Sequence, residues 1–272
     1  MWTLKDLIEN FFTHKDFLPS SELIPGTLFT PLQWVFSVIC VCAVIFFAIL
    51  LSKKDESVFR RVFSVLWVVL IIAEISKITW ETVSGVTVNF EATGILPLYP
   101  CSIFMYALPF ALWGKGNVRR AACGYICTLG FIGGAVNFVY PVNVLSNYSC
   151  LSFAGFHTLF YHGTMVLCAL YMLISGYHSF KNVTHTYELI LPSCPLIAVS
   201  VIANAVNFSP IRSDYMFFKL ESFIFAPLGK AIPGQFIDVV LVYAAYILIH
   251  ALPYLPSFIS NRTKEKAVRA AA

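Results

Sequence analysis

Seven apolar runs of this chain are each long enough to cross the hydrocarbon core of a bilayer as a helix. Only 12% of the 272 residues are charged, about half the share found in an ordinary soluble domain. These features predict an all-α fold, a polytopic membrane bundle of seven transmembrane helices. The runs cover 31–52, 60–84, 97–113, 119–140, 153–178, 187–208 and 234–256. The third run is the shortest and contains three prolines, so we expect it to be broken or tilted.

The two ends of the chain are expected to lie outside this bundle. Residues 1–30 are interpreted as a surface segment and 257–272 as a basic cytoplasmic tail, which leaves 31–256 as the transmembrane domain. The first residues lack the basic-then-apolar pattern of a cleaved signal peptide. They predict instead a short amphipathic helix that lies on the membrane surface. Its apolar face would consist of Leu4, Leu7, Ile8, Phe11 and Phe12.

The distribution of Lys and Arg among the loops predicts the orientation of the bundle. The loop after the first run, the loop after the third run and the C-terminal tail are basic, whereas loops 85–96 and 141–152 contain no Lys or Arg. Loop 209–233 is an exception with three basic residues, but long loops follow the rule weakly. We therefore expect the N-terminus outside and the C-terminus in the cytoplasm. The net charge of +4 follows the membrane sides, so no nucleic-acid partner is indicated.

Three charged residues, Glu74, Lys77 and Glu81, interrupt the second run. Their spacing of three and then four residues places them on one helix face. Charge inside hydrocarbon is unfavourable, and an intramembrane cluster of this kind indicates a functional site by default. The alternative is an ion pair that only fixes helix packing. Both interpretations require partners within the trio or on a neighbouring helix.

The predicted topology places polar residues of six runs at a similar depth, in the outer half of the bilayer. Such an arrangement is typical of a cavity lined by convergent polar groups. Besides the charged trio, the expected lining residues include Cys101, His157, His162, Asn137, Asn207 and Asp238.

Cys101 differs from the other cysteines because it follows two prolines at the predicted start of a helix. A helix N-terminus lowers the pKa of a thiol and makes the reactive thiolate available. An inert buried thiol and a disulfide to Cys150 remain as alternatives. His157 and His162 lie at the same depth, which favours a Cys–His arrangement in which a histidine takes the thiol proton. The cysteines show no metal-ligand spacing with a histidine or acid, and no cofactor is indicated.

Three short motifs carry a resemblance to a known family: LPLYPCS at 96–102, FHTLFYHG at 156–163 and DYMF at 214–217. The chain resembles the bacterial YwaF-like integral membrane proteins. Through them it is similar to a eukaryotic transmembrane cysteine acyltransferase acting on ether phospholipids, and distantly to androgen-induced hydrolases of fatty-acid esters. The resemblance implies Cys101 as the nucleophile, His162 as its base and a bacterial plasma membrane as the location. Asp214 stands where the family pattern has Asn.

The sequence thus predicts an integral membrane enzyme that transfers or hydrolyses acyl groups of lipid esters. Cys101 and His162 would be catalytic, with His157 beside them, and the substrate would be a membrane lipid. Lys77 would stabilise the developing oxyanion or bind a lipid phosphate. The remaining residues predicted to bind substrate are Glu74, Glu81, Asn137, Asn207, Asp214 and Asp238. The alternative is a non-enzymatic transporter or sensor that uses the Glu-Lys-Glu and His residues to bind a ligand or protons.

Overall fold

The described part of the chain is helical, and it contains no strand. The computed structural model describes residues 3–85, 96–181, 183–207, 215–217 and 235–271. The helices are α1 (Leu4–Glu9), α2 (Pro31–Ser52), α3 (Glu56–Ser84), α4 (Pro100–Trp113), α5 (Gly116–Leu145), α6 (Phe153–Ile174), α7 (Thr186–Asn207), α8 (Gln235–Ala251) and α9 (Leu255–Ala271). A five-residue π-helical turn, Ile126–Gly130, lies within α5.

Six of the described helical segments are long and apolar enough to cross a membrane. The predicted third span falls short of this, because α4 is an apolar helix that begins only at Pro100. At about 1.5 Å per residue it measures roughly 20 Å, against ~30 Å for a hydrocarbon core. The structure therefore supports a multi-pass helical protein with six spans by length, whereas a seventh span and the orientation remain predictions.

The amphipathic N-terminal helix is shorter than the sequence predicts. It ends at Glu9, so Phe11 and Phe12 lie beyond it and cannot belong to its apolar face. Leu7 is buried, whereas Ile8 is 67% exposed. Thr3 and Asp6 form a capping box that fixes the start of the helix.

The helix α2 has the inverted polarity expected of a membrane span. Its interior face contains the buried polar residues Gln33 and Ser37, which are joined by a hydrogen bond of 3.0 Å. Its outer face presents Val38 and Phe46, which are 59% and 61% exposed. Exposure of such an apolar surface to water is unfavourable, whereas its contact with lipid tails is favourable.

The chain divides into two compact units. The first unit comprises Met1–Ile95 and Phe131–Ile174, and the second comprises Leu96–Gly130 and Ser175–Ala272. In the first unit, α6 packs against α2, α3 and the later part of α5. The rings of Phe59 on α3 and Tyr171 on α6 are stacked with centroids 3.9 Å apart. In the second unit, α4 packs on the early part of α5, and α8 contacts the π-helical turn.

Candidate functional site

The first unit contains a cluster of three ionisable side chains centred on Glu74. Lys77, one helical turn later, places its Nζ 3.0 Å from Glu74 Oε1. His157 on α6 places its Nε2 3.1 Å from the other carboxylate oxygen. The side chains of Glu74 and His157 are only 10% and 8% exposed, so the carboxylate depends on these two neighbours for compensation.

The two contacts of Glu74 differ in geometry. The contact with Lys77 is a hydrogen-bonded ion pair. The His157 contact satisfies the distance of an ion pair, but the ring is not oriented for a hydrogen bond, and Nε2 has no hydrogen-bond partner among the described residues. The spacing in the sequence predicts the contact of Glu74 with Lys77. The contact of Glu74 with His157, on another helix, is evident only from the structure.

Glu81 ends the predicted trio and lies in a different electrostatic environment. Its charge acts on Tyr148, which lies in the connection between α5 and α6. Burial, opposed by the hydrogen bond from the Lys15 amide and helped by the charges of Glu81 and Asp16, raises the pKa of Tyr148 to about 12. Tyr148 therefore remains a neutral hydrogen-bonding group at physiological pH, and its hydroxyl accepts a hydrogen bond of 3.2 Å from the Lys15 amide.

His162 has a tautomer that follows from its surroundings. Its Nδ1 lies 2.7 Å from the backbone oxygen of Thr158, one turn earlier on α6. A carbonyl oxygen can only accept, so Nδ1 carries the hydrogen and Nε2 is the basic nitrogen in the neutral ring. The Thr158 hydroxyl also reaches Asn137 Oδ1 on α5, at 3.4 Å. The predicted residues Asn137 and His162 thus share Thr158 as a common neighbour.

Cys101 belongs to the second unit and lies in the first turn of α4. This turn is a 3₁₀ helix, Pro100–Ser102, that continues directly into the apolar helix Ile103–Trp113. The Tyr125 hydroxyl donates a hydrogen bond to the Pro100 carbonyl, which belongs to the peptide group preceding Cys101. The backbone that carries the thiol is therefore held by a buried side chain of α5.

Tyr215 also contacts the segment that leads to Cys101. Its ring packs against Tyr99 with centroids 5.1 Å apart, and its hydroxyl accepts a hydrogen bond from the Leu96 amide. Asn207 in turn binds the Tyr215 backbone through two hydrogen bonds of 2.7 and 2.8 Å. The motif LPLYPCS and Tyr215 of the motif DYMF, more than a hundred residues apart in sequence, are thus neighbours in the second unit.

Met216, the residue after Tyr215, has an unusual backbone conformation. Its φ of 65° places a non-glycine residue in the left-handed region. Such a conformation is unfavourable and persists where surrounding contacts impose it. Here the Tyr246 hydroxyl donates a 2.8 Å hydrogen bond to the Met216 carbonyl.

The structure describes only one of the two aspartates predicted to bind substrate. Asp214 lies outside the described residues. Asp238 is buried at the start of α8, and its Oδ1 has no hydrogen-bond partner within the described ranges. A buried carboxylate oxygen of this kind is a candidate ligand-binding group.

The disulfide alternative is wrong for the described structure, because Cys101 and Cys150 are both thiols there. The two residues belong to different units. The predicted catalytic pair is divided in the same way, with Cys101 in the second unit and His157 and His162 in the first. The pairing of Cys101 with His162 therefore stays a prediction. In the described ranges, no group of three His, Cys, Asp or Glu residues could hold a metal ion.

His250 is one of the buried polar residues of the second unit that were not predicted from the sequence. Its side chain is fully buried in α8, and its Nδ1 lies 2.5 Å from the Thr128 hydroxyl. The signal was present, since His250 is an ionisable residue inside the apolar run 234–256. That Thr128 is the hydrogen-bond partner of His250 is evident only from the folded structure.

The apolar helices, the inverted polarity of α2 and the buried charge cluster define a multi-pass membrane protein with polar sites in its interior. The TMEM164 family model matches residues 28–260, and the chain belongs to this family. No curated protein and no solved structure matches the chain.

Proposed function

We propose that this TMEM164-family protein is a membrane enzyme that transfers or hydrolyses lipid acyl groups through the Cys101 thiol. The observation that carries the proposal is the fixed position of Cys101. The thiol lies in the first turn of an apolar helix, and the backbone before it is held by Tyr125 and Tyr215. Fixed geometry at a nucleophile lowers the entropic part of a reaction barrier. The resemblance described above implies the same residue as the nucleophile.

The chemistry would proceed in two steps. The Cys101 sulfur attacks the carbonyl carbon of a lipid ester, the carbon–oxygen bond breaks, and the lipid alcohol leaves with a proton. The chain then carries the acyl group as a thioester. A second lipid alcohol or water attacks this thioester, and the sulfur recovers its proton.

His162 is our candidate for the base that takes the thiol proton. Its support is the tautomer, because the Nδ1 hydrogen bond to Thr158 leaves Nε2 as the basic nitrogen. Such a base must come within hydrogen-bond reach of the thiol, directly or through one water. Lys77 is the candidate for the group that stabilises the oxyanion or binds a lipid phosphate, with Glu74 holding its ammonium group in place.

The direct test is to trap the thioester. Purified protein would be incubated with phospholipid labelled in its acyl chain, and label bound to the protein would be released with hydroxylamine. We expect Cys101→Ser to abolish the label, while Cys123→Ser, a buried thiol of α5, retains it. His162→Asn should slow label incorporation by about 10²- to 10⁴-fold. Hydroxylamine-labile label that persists in Cys101→Ser would refute the proposal.

A second candidate function is favoured by the cluster around Glu74. A carboxylate between a lysine and a histidine in a membrane interior is typical of proton or ligand binding in transporters and sensors. This function predicts proton or ligand uptake in proteoliposomes that Glu74→Gln abolishes and Cys101→Ser leaves intact. The acyl-transfer function predicts no such uptake.

A further inference from the structure

His250 provides a buried basic nitrogen in the same unit as Cys101. The Thr128 hydroxyl lies 2.7 Å from the Gly124 carbonyl oxygen and 2.5 Å from His250 Nδ1. Because the carbonyl can only accept, the hydroxyl hydrogen is directed to Gly124, and Thr128 accepts the hydrogen of Nδ1. The neutral ring of His250 therefore keeps its lone pair on Nε2.

This nitrogen has no hydrogen-bond partner among the described residues, although the His250 side chain is fully buried. An unpaired buried acceptor is unfavourable by about 1–3 kcal/mol. Native structures retain such groups where water, a ligand or catalysis uses them. The Nε2 atom of His250 is thus suited to receive a hydrogen from an O–H group that enters this region.

Tyr125 connects His250 to the Cys101 turn. The rings of His250 and Tyr125 are 5.4 Å apart, and the Tyr125 hydroxyl donates to the Pro100 carbonyl. The π-helical turn Ile126–Gly130 contacts both the Pro100–Ser102 turn and α8. π-Helical turns within α-helices frequently occur at functional sites. Tyr125 therefore contacts both the His250 ring and the backbone carbonyl next to Cys101.

We propose that His250 is the proton acceptor for the hydroxyl group that removes the acyl chain from Cys101. This inference rests on the proposed function and assigns its second step. His250 Nε2 takes the hydroxyl proton as the oxygen attacks the thioester carbonyl carbon. The carbon–sulfur bond breaks, and the proton passes from His250 to the leaving sulfur. The hydroxyl belongs to a lipid alcohol or to water, and both present the same O–H group.

The experiment separates the two steps. Protein in nanodiscs would first be loaded with labelled acyl chain and then chased, either in buffer alone or with added lysophospholipid. His250→Asn retains an N–H donor for Thr128 but lacks a basic nitrogen. We expect it to load Cys101 as the wild type does and to lose the label about 10²- to 10⁴-fold more slowly. The matched control is His178→Asn, which removes another histidine of the second unit, one whose Nε2 contacts Tyr254.

Loss of the label in buffer alone would identify water as the acceptor, and loss that requires lysophospholipid would identify a lipid alcohol. Either result supports the assignment if His250→Asn slows it and His178→Asn does not. In His250→Ala, added imidazole should restore the chase, which a purely structural role would not predict. The imidazole experiment therefore tests the proposal even if His250→Asn does not fold.

Two results would overturn the inference while leaving the proposed function intact. One is an unchanged chase rate in folded His250→Asn. The other is a loss of loading in that variant, which would place His250 before the thioester. Wild-type protein that never forms a hydroxylamine-labile adduct would overturn the proposed function and this inference together.

Discussion

The side-chain amide of Asn207 and the backbone of Tyr215 hold each other through two hydrogen bonds. Asn207 Nδ2 donates to the Tyr215 carbonyl at 2.8 Å, and the Tyr215 amide donates to Asn207 Oδ1 at 2.7 Å. Both residues are buried. The end of α7 thereby fixes the residue that packs on the Cys101 segment.

Asn207→Leu should reduce both stability and the reactivity of Cys101. The change leaves two buried backbone groups without these partners, at about 1–3 kcal/mol each. Thermal unfolding in detergent and the rate of thiol labelling at Cys101 measure the two effects. Asn204→Leu is the matched control, since within the described residues its amide makes one longer contact, of 3.3 Å, with the Tyr243 hydroxyl. Equal stability losses in the two variants would show that the double hydrogen bond is unimportant.

Lys77→Met should destabilise the first unit by about 3 kcal/mol, because Glu74 then retains only His157 as a compensating neighbour. The control is Arg60→Met, which breaks an exposed pair with Glu56 and should lower the free energy of unfolding by less than about 1 kcal/mol. The double variant Glu74→Gln, Lys77→Met should recover part of the loss. Wild-type stability and activity in Lys77→Met would indicate that the pair contributes nothing.

Gly134→Ala should destabilise the packing of α5 on α6. A Cβ at this position would lie 3.0 Å from the His162 backbone oxygen and 2.8 Å from a Val166 methyl group. We expect a loss of about 1–3 kcal/mol in unfolding experiments. Gly163→Ala is the control, since its Cβ would meet neighbours only at 3.6 Å and the helix would gain up to about 1 kcal/mol. The same ranking should appear in the rate of His162-dependent label incorporation.

His178 should make stability depend on pH. It lies beyond the end of α6, and burial, with a smaller contribution from the charge of Arg120, lowers its pKa from 6.5 to about 4. The unfolded chain binds this proton below pH 6.5, whereas the folded protein binds it only near pH 4, so stability falls as the pH drops through this window. Melting temperatures at pH 7 and pH 5 should differ less in His178→Gln than in the wild type. An equal difference in both proteins would contradict a buried neutral His178.

The orientation of the bundle can be tested with tags. A tag at the C-terminus should be protected from external labelling, and a tag in the loop 141–152 should be accessible. The reason is the alternation of Lys and Arg between the loops. Both tags on one side would require an even number of spans after residue 152 and would also remove the basis for the predicted outer-half cavity.

The hydropathy of the sequence by itself determined that this is a helical membrane protein. Each apolar run must satisfy its own backbone hydrogen bonds in lipid, so length and composition suffice to predict a helix. The first run, 31–52, agrees with α2 at both ends. The third run shows the limit of this reasoning, because Pro100 marks the start of α4, while the sequence pattern placed the start three residues earlier.

The tertiary structure decided which polar side chains meet. The spacing of Glu74 and Lys77 predicts a contact within one helix, whereas the contact of Glu74 with His157 depends on how α3 and α6 pack. The same holds for Asn207 with Tyr215 and for His250 with Thr128, which lies 122 residues away in the chain. Hydrophobicity and periodicity are properties of neighbouring residues, but a buried hydrogen bond between distant helices depends on shape and on the relief of desolvation, which only the folded chain defines.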